Sequence, residues 1–183
     1  MHRHEPPGYR CPFCALIGGG ETERNRPSDV VFQDSRTTAF VSPKWWERNP
    51  GHVLVVPNEH HENLYSIPPD ALSLVFETAR RIAVAIRSVY GCGGMSLRQH
   101  NEPGGNQDVW HFHVHVFPRH EGDGLYDGAP SRWVPVAERE LYAEKLRTFL
   151  ADRVWSATVG GVEAPVAATV ADTVTDTVAE SVG

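Results

Sequence analysis

Gln107-Asp108-Val109-Trp110-His111-Phe112-His113-Val114-His115-Val116-Phe117 decides how this chain is read. Histidines alternate with large apolar residues over seven positions, a period of two that fits a half-buried strand and cannot keep to one face of a helix. The pattern places His111, His113 and His115 on one face, roughly 6.8 Å apart at about 3.4 Å per residue, with Phe112, Val114 and Val116 toward a core. A row of imidazoles supports two chemistries. Each ring can hold a metal through a neutral nitrogen, or attack phosphorus or carbon while its other nitrogen donates to a fixed acceptor. Immediately upstream, Asn101-Glu102-Pro103-Gly104-Gly105-Asn106-Gln107 is a glycine-containing polar loop whose backbone N–H groups could converge on an anion.

Composition narrows the class. The 183 residues are 40% hydrophobic, enough for one domain with a sizeable core. No stretch reads as a membrane span. The first residues, Met1-His2-Arg3-His4-Glu5-Pro6-Pro7, lead into no apolar run, so the cytoplasm is the expected compartment. Three cysteines give no even disulfide framework, and in a reducing compartment Cys11 and Cys14 read as metal ligands or a redox pair, with Cys92 a buried thiol. The net charge is 17 − 23 = −6; the tail acids Glu163, Asp172, Asp176 and Glu180 account for four of the negative charges, so the remainder is 17 − 19 = −2. So weak a field excludes a long nucleic acid gripped through many phosphates and favours a small anionic substrate.

Working outward along the chain, Cys11-Pro12-Phe13-Cys14-Ala15-Leu16-Ile17 is a short apolar segment closed by three glycines. No βαβ pattern surrounds its Cys-x-x-Cys, which favours metal over redox chemistry. Residues 30–33 and 37–41 read as a hairpin across Asp34-Ser35-Arg36, and Gly51 to Pro57 as a strongly apolar strand. Trp45 and Trp46 either wall a base pocket or pack on the core, and Trp133 closes a pocket or a dimer contact. A helix is expected from Pro69-Asp70 to about Tyr90, with Leu72, Val75, Phe76, Ala79, Ala83, Ile86 and Tyr90 on its buried stripe. Gly91 to Gly94 stops it, and Met95 to Gln99 is the next strand. Glu138 to Arg153 reads as a second helix with Leu141, Leu146, Phe149 and Leu150 inward. From about Ser156 the composition shifts to Ala, Val, Thr and Gly, with valines every four residues from 162 to 182; Val and Thr are poor helix formers, and the tail is expected to be disordered.

His111-Phe112-His113-Val114-His115-Val116-Phe117 resembles the His-φ-His-φ-His-φ-φ motif (φ apolar) that names the histidine triad (HIT) family, and Pro118-Arg119 continues its bacterial form. Pro50-Gly51-His52-Val53-Leu54-Val55-Val56-Pro57 with His60 resembles the family's other characteristic strand, and the similarity runs from about Cys11 to Arg153. The resemblance, to the bacterial zinc-containing Hint-like type, implies an α+β HIT-like fold: an antiparallel sheet of about five strands with a long covering helix and a C-terminal helix. It divides the chain into a flexible 1–10, a HIT domain over 11–154 and an acidic low-complexity tail over 155–183. It also implies a nucleotide hydrolase or transferase cleaving at the nucleoside-linked phosphate, in a dinucleoside polyphosphate or nucleoside phosphoramidate, through a covalent nucleotidyl-histidine.

In that reading His113 is the nucleophile, flanked by His111 and His115. The phosphate and nucleoside contacts fall to Asn101, Gln107, His52, Ser42, His115 and the loop N–H groups. One structural zinc per chain is held by Cys11, Cys14, His60 and His111 as a closed Cys₂His₂ set, and the protein pairs as a homodimer. Three positions depart from the family pattern: Ser42 replaces an aspartate, Asn106 a glycine and Asp108 a serine or threonine. The departures at Ser42 and Asp108 motivate a second reading, a slow nucleotide-binding regulator; a third is a metal-dependent hydrolase using all three histidines as ligands.

Overall fold

The computed structural model describes residues 3–128, 130–153 and 155, so the tail expected to be disordered lies, apart from Trp155, outside the described residues. In chain order the elements are α1 (Pro12–Ile17), β1 (Val30–Gln33), β2 (Thr37–Val41), β3 (Lys44–Trp46), β4 (Val53–Pro57), α2 (Pro69–Val89), β5 (Gly94–Gln99), β6 (Val114–Arg119), β7 (Ser131–Trp133) and α3 (Val136–Ala151). The main sheet runs β1-β2-β4-β6-β5, and every neighbouring pair is antiparallel. The expected α+β architecture, with a five-stranded sheet, one long covering helix and a C-terminal helix, is therefore the observed one.

The hairpin between β1 and β2 is set locally. Asp34 Oδ1 accepts from the backbone N–H groups of Arg36 (2.8 Å) and Thr37 (2.7 Å), an Asx turn that reverses the chain. In the middle of the sheet, register sorts side chains between faces. Val53, Leu54 and Val55 pair with Val116, His115 and Val114, so the valines share one face and His115 shares the other with Leu54. On β5, Arg98 stands opposite His115 and Ser96 opposite Phe117.

The valine face is covered by α2, which buries Ala71, Val75, Thr78, Ala79, Ile82, Ala85 and Ile86. The expected stripe shares only Val75, Ala79 and Ile86 with this set, and Phe76 is 45% exposed. Close approach to β-branched valines favours the alanine side of the helix, whereas inward Phe76 would hold the helix off the sheet. Helix α3 begins two residues before its expected start. Leu146 and Leu150 face inward as expected, but Leu141 is 64% exposed and Phe149 only half-buried. The inward place is taken by Arg139, whose Nε lies 2.7 Å from Asp29 Oδ1 while Nη1 donates to the Val134 carbonyl at 2.6 Å. Both partners are buried; removing either one would strand a charge, at a cost of about 3–5 kcal/mol.

The opposite face receives α1, where Phe13 and Leu16 cluster with Phe40, Leu54 and Val56. Pro12 occupies the first turn and Cys11 caps it, its Sγ accepting from the Cys14 N–H at 3.4 Å. Strands β3 and β7 form a second, two-stranded sheet that periodicity did not predict. Trp45 is buried in the core, with Nε1 donating to the Ser42 carbonyl at 2.6 Å, so of the two alternatives for the tandem tryptophans only Trp46 stays near the histidines.

Gly51 leads into β4 with φ +76°, and a Cβ there would overlap Tyr142 Cδ1 and stand 2.8 Å from Tyr90 Cε2. Gly51→Ala should cost about 3 kcal/mol from left-handed strain and overpacking together. A urea melt checks it, and a midpoint within error of wild type would show that the two rings yield freely.

Candidate active site

His111, Phe112 and His113 precede the strand they were expected to form, since β6 begins only at Val114. Nor do the histidines form a solvated face. His111 is 0% and His113 2% exposed, covered by α1: the Phe13 ring centroid lies 5.9 Å from that of His111 and 5.3 Å from that of His113. The His113 and His115 rings come within 4.9 Å of each other, closer than an ideal strand spacing, because the segment leaves the ladder where Phe112 N–H donates to the His61 carbonyl at 2.6 Å.

Acceptor-only partners assign the ring protons. His111 Nε2 lies 2.9 Å from the Pro57 carbonyl, so in the neutral ring Nε2 carries the hydrogen and Nδ1 the lone pair. His113 Nδ1 lies 2.7 Å from the His111 carbonyl, which leaves its lone pair on Nε2. His60 Nε2 faces Glu5 Oε2 at 2.9 Å, again leaving Nδ1 free to act as a ligand. Burial holds the His111 and His113 rings neutral, lowering the His111 pKa to about 3 and that of His113 below its usual value, the latter opposed by its backbone hydrogen bond and by the Asp108 carboxylate.

The lone-pair nitrogens of His111 and His60 converge on two sulfurs. Cys11 Sγ is 3.3 Å from His111 Nδ1, and Cys14 Sγ is 3.3 Å from His60 Nδ1 and 3.5 Å from His111 Nδ1. All four donor atoms lie within 4.8 Å of one another. Zinc–sulfur bonds near 2.3 Å and zinc–nitrogen bonds near 2.0–2.1 Å at tetrahedral angles separate nitrogen from sulfur by roughly 3.5 Å, so the set fits that ion. The outer hydrogen bonds fit as well, because a ligating imidazole ordinarily donates its other N–H to a carboxylate or carbonyl, here Glu5 and Pro57. Residues 3–10, expected to be flexible, are tied down as a strap: His4 N–H donates to Glu62 Oε1 at 2.7 Å, and the Tyr9 hydroxyl accepts from Trp110 N–H at 3.3 Å.

Beyond His113, His115 Nδ1 is 3.4 Å from His52 Nε2. His52 is buried, stacks on Phe117 at 4.4 Å and leaves its Nδ1 without a hydrogen-bond partner. Desolvation and the Arg98 charge depress its pKa to about 3. The expected phosphate contacts are held more tightly than sequence suggested. The Gln107 amide donates to the Glu62 and Val109 carbonyls and accepts from Glu102 N–H. Asn101 is paired with Gln99 and with Leu64 N–H, and the Ser42 hydroxyl donates to the Lys44 carbonyl. Gln107 and Ser42 are buried and Asn101 half-buried. Asp108 is exposed.

With this geometry defined, comparison places the chain among known proteins. The HIT domain profile matches residues 23–122, more than half of the chain. The chain belongs to the HIT family. A HIT-like protein of Mycobacterium tuberculosis is 31% identical over 78% of this chain and 94% of its own length. The crystal structure of a zinc-bound histidine triad family protein from Mycobacterium smegmatis superposes with a TM-score of 0.64, at 28% identity, covering 78% of this chain and 94% of that one. An adenylylsulfatase of Arabidopsis thaliana is 27% identical over 63% of this chain, which spans 55% of that protein.

Sequence reading of this HIT protein missed Glu5 and Pro57, whose parts depend on long-range folding, and Arg98, which strand parity could have found. Arg98 alternates with Ser96 along β5 and so shares the face of His115.

Burial of neutral His52 predicts acid sensitivity. Its folded pKa lies below the unfolded value of 6.5, so the unfolded chain binds the extra proton and stability is lost as pH falls from 6.5 toward 3. Between pH 7 and 5 the loss from this group should be about 2 kcal/mol. Denaturant melts of His52→Phe should show a correspondingly smaller drop over that interval; parallel curves for the two proteins would contradict the assignment.

Proposed function

We propose that this HIT protein is a nucleotide hydrolase or nucleotidyltransferase acting at the nucleoside-linked phosphate, with His113 as nucleophile. The observation that supports it is the 2.7 Å contact between His113 Nδ1 and the His111 carbonyl, which orients the ring and keeps the lone pair on Nε2. Nε2 attacks phosphorus, the nitrogen–phosphorus bond forms, and the bond to the leaving group breaks with its electron pair departing on that group. Water, or another acceptor, then attacks the same phosphorus, the pair returns to Nε2, and the water's proton leaves to solvent or the leaving group. Nδ1–H stays on the carbonyl throughout. His115, His52 and the loop N–H groups contact the phosphate oxygens, while Asn101, Gln107 and Ser42 hold the rim around them.

Two features favour an enzyme over a slow regulator or a triad of metal ligands. His113 is neutral and oriented before substrate arrives, and His111 turns its ligand nitrogen toward the cysteines and away from the other two triad rings. Zinc in the Cys11, Cys14, His60 and His111 set would supply structural cross-linking of the amino-terminal segment to the catalytic segment, with no coordination position left for substrate. Leu74 and Phe76 on α2 and Leu97 on the edge strand β5 are 37%, 45% and 50% exposed and suit burial against a second copy in a homodimer.

His113→Ala should lower turnover of a dinucleoside polyphosphate or nucleoside phosphoramidate by at least 10³-fold and abolish the trapped nucleotide adduct, while nucleotide binding persists. Mass spectrometry of quenched wild-type protein should place the nucleotide on His113, and its appearance on His111 or His115 would overturn the role. For the metal, protein purified without chelator should carry one zinc per chain. Glu5→Ala should weaken zinc binding roughly 10- to 100-fold and Cys11→Ser should lower both zinc content and melting temperature. Wild type lacking zinc, with a melting point indifferent to chelator, would exclude the site.

A further inference from the structure

Arg98 is a fixed and unneutralised cation on the triad face. Its guanidinium lies 4.4 Å from the Tyr126 ring, 5.1 Å from Phe117 and 5.8 Å from Trp46, and its Nη2 donates to the Leu125 carbonyl at 3.1 Å. Among the described residues no carboxylate pairs with it. Arg119, the other cation stacked on Tyr126, contrasts with it directly: Asp123 binds Arg119 through two contacts of 2.6 and 2.7 Å. Aromatic packing therefore immobilises the Arg98 fork while leaving its charge available. Burial is the main cause that lowers His52 and His115, and the Arg98 charge adds to it at both rings.

Polarity across the face gives the cation a direction. At the loop end, the Asp108 carboxylate acts on His113. The positive end is β5, where Arg98 faces His115 across the ladder. A phosphate held between His113 and His115 is thus bordered by a negative end and a positive end, and a second anionic group is attracted only toward the latter.

We propose that Arg98 forms a subsite for an anionic group beyond the scissile phosphate, so that the protein prefers substrates whose leaving group is itself a phosphate or similar oxyanion over nucleoside phosphoramidates that release an amine. This rests on the nucleotide-cleaving function proposed above and specifies its substrate class. The planar fork suits two oxygens of one oxyanion, and its stacked position removes most of the entropy cost of ordering a free arginine. Tyr126, 62% exposed between the two guanidinium groups, positions the fork.

Steady-state kinetics on the full chain tests the subsite, with a dinucleoside triphosphate and a nucleoside phosphoramidate as parallel substrates. Arg98→Met should lower kcat/KM for the triphosphate roughly 10- to 100-fold, the loss typical of a charged hydrogen bond, and leave the phosphoramidate within threefold. Arg98→Lys, which keeps the stem and the charge, should fall between wild type and Arg98→Met. Equal losses on both substrates would make Arg98 structural and overturn the proposal, as would no loss on either. A second measurement needs no turnover. By calorimetry, wild type should bind a nucleoside diphosphate more tightly than the monophosphate and Arg98→Met should lose that advantage; retention of the full advantage would also overturn it. If wild type turns over neither substrate, the proposed enzymatic function fails, while the binding ratio still decides the subsite.

Discussion

His111 is held in three places at once. Its Nδ1 faces the two cysteine sulfurs, its Nε2 donates to the Pro57 carbonyl, and its own carbonyl accepts from His113 Nδ1. None of these contacts can shift alone. Rotating the ring would break its link either to β4 or to α1, and moving the peptide would release the proton that decides which nitrogen of His113 keeps its lone pair. The residue joins the amino-terminal helix, a central strand and the His113 ring through one backbone unit, so the orientation of His113 follows from packing some distance away.

The same arrangement explains why imidazole suits this interior. Burying an ionised side chain costs far more than burying a neutral, hydrogen-bonded one, and an imidazole can shed its charge near neutral pH where lysine remains protonated. His111, His113 and His52 are all buried, and the first two keep hydrogen-bonding capacity without net charge. The protein places its permanent cation at the edge of this cluster, under a cover of aromatic rings. Neutral imidazole and permanent charge are thereby divided between positions: buried rings at the centre, a guanidinium at the border.

Much of the fold was legible because alternation and turn chemistry are local. The β1–β2 hairpin, the strand after Gly51 and the long helix all follow from residues within a few positions of one another. What covers them is not local. The histidine segment reads as half-exposed because nothing near it in sequence announces that Phe13, about a hundred positions earlier, will lie across it. The α2 stripe was misread because hydrophobicity alone ranks Phe76 above Ala71, whereas the sheet surface selects for smallness. Arg139 resembles any surface arginine of an amphipathic helix until Asp29 is brought beneath it. At the candidate site, residue types were informative about chemistry, but only the fold shows that the amides of Gln107 and Asn101 are occupied by protein partners such as the Glu62 carbonyl and the Leu64 N–H.

The cysteine–histidine set also bears on the birth of the chain. Each cysteine is separated from the histidine it meets by 46 to 100 positions, so during synthesis Cys11 and Cys14 emerge long before His111 exists to meet them. At roughly 5–20 residues per second, the interval is about 5–20 seconds, lengthened by passage through the ribosomal tunnel. Until His60 and then His111 are made, the two neighbouring thiols lack one or both imidazoles and stay open to oxidation. Closure of the cluster therefore depends on the redox state around the nascent chain as well as on the sequence.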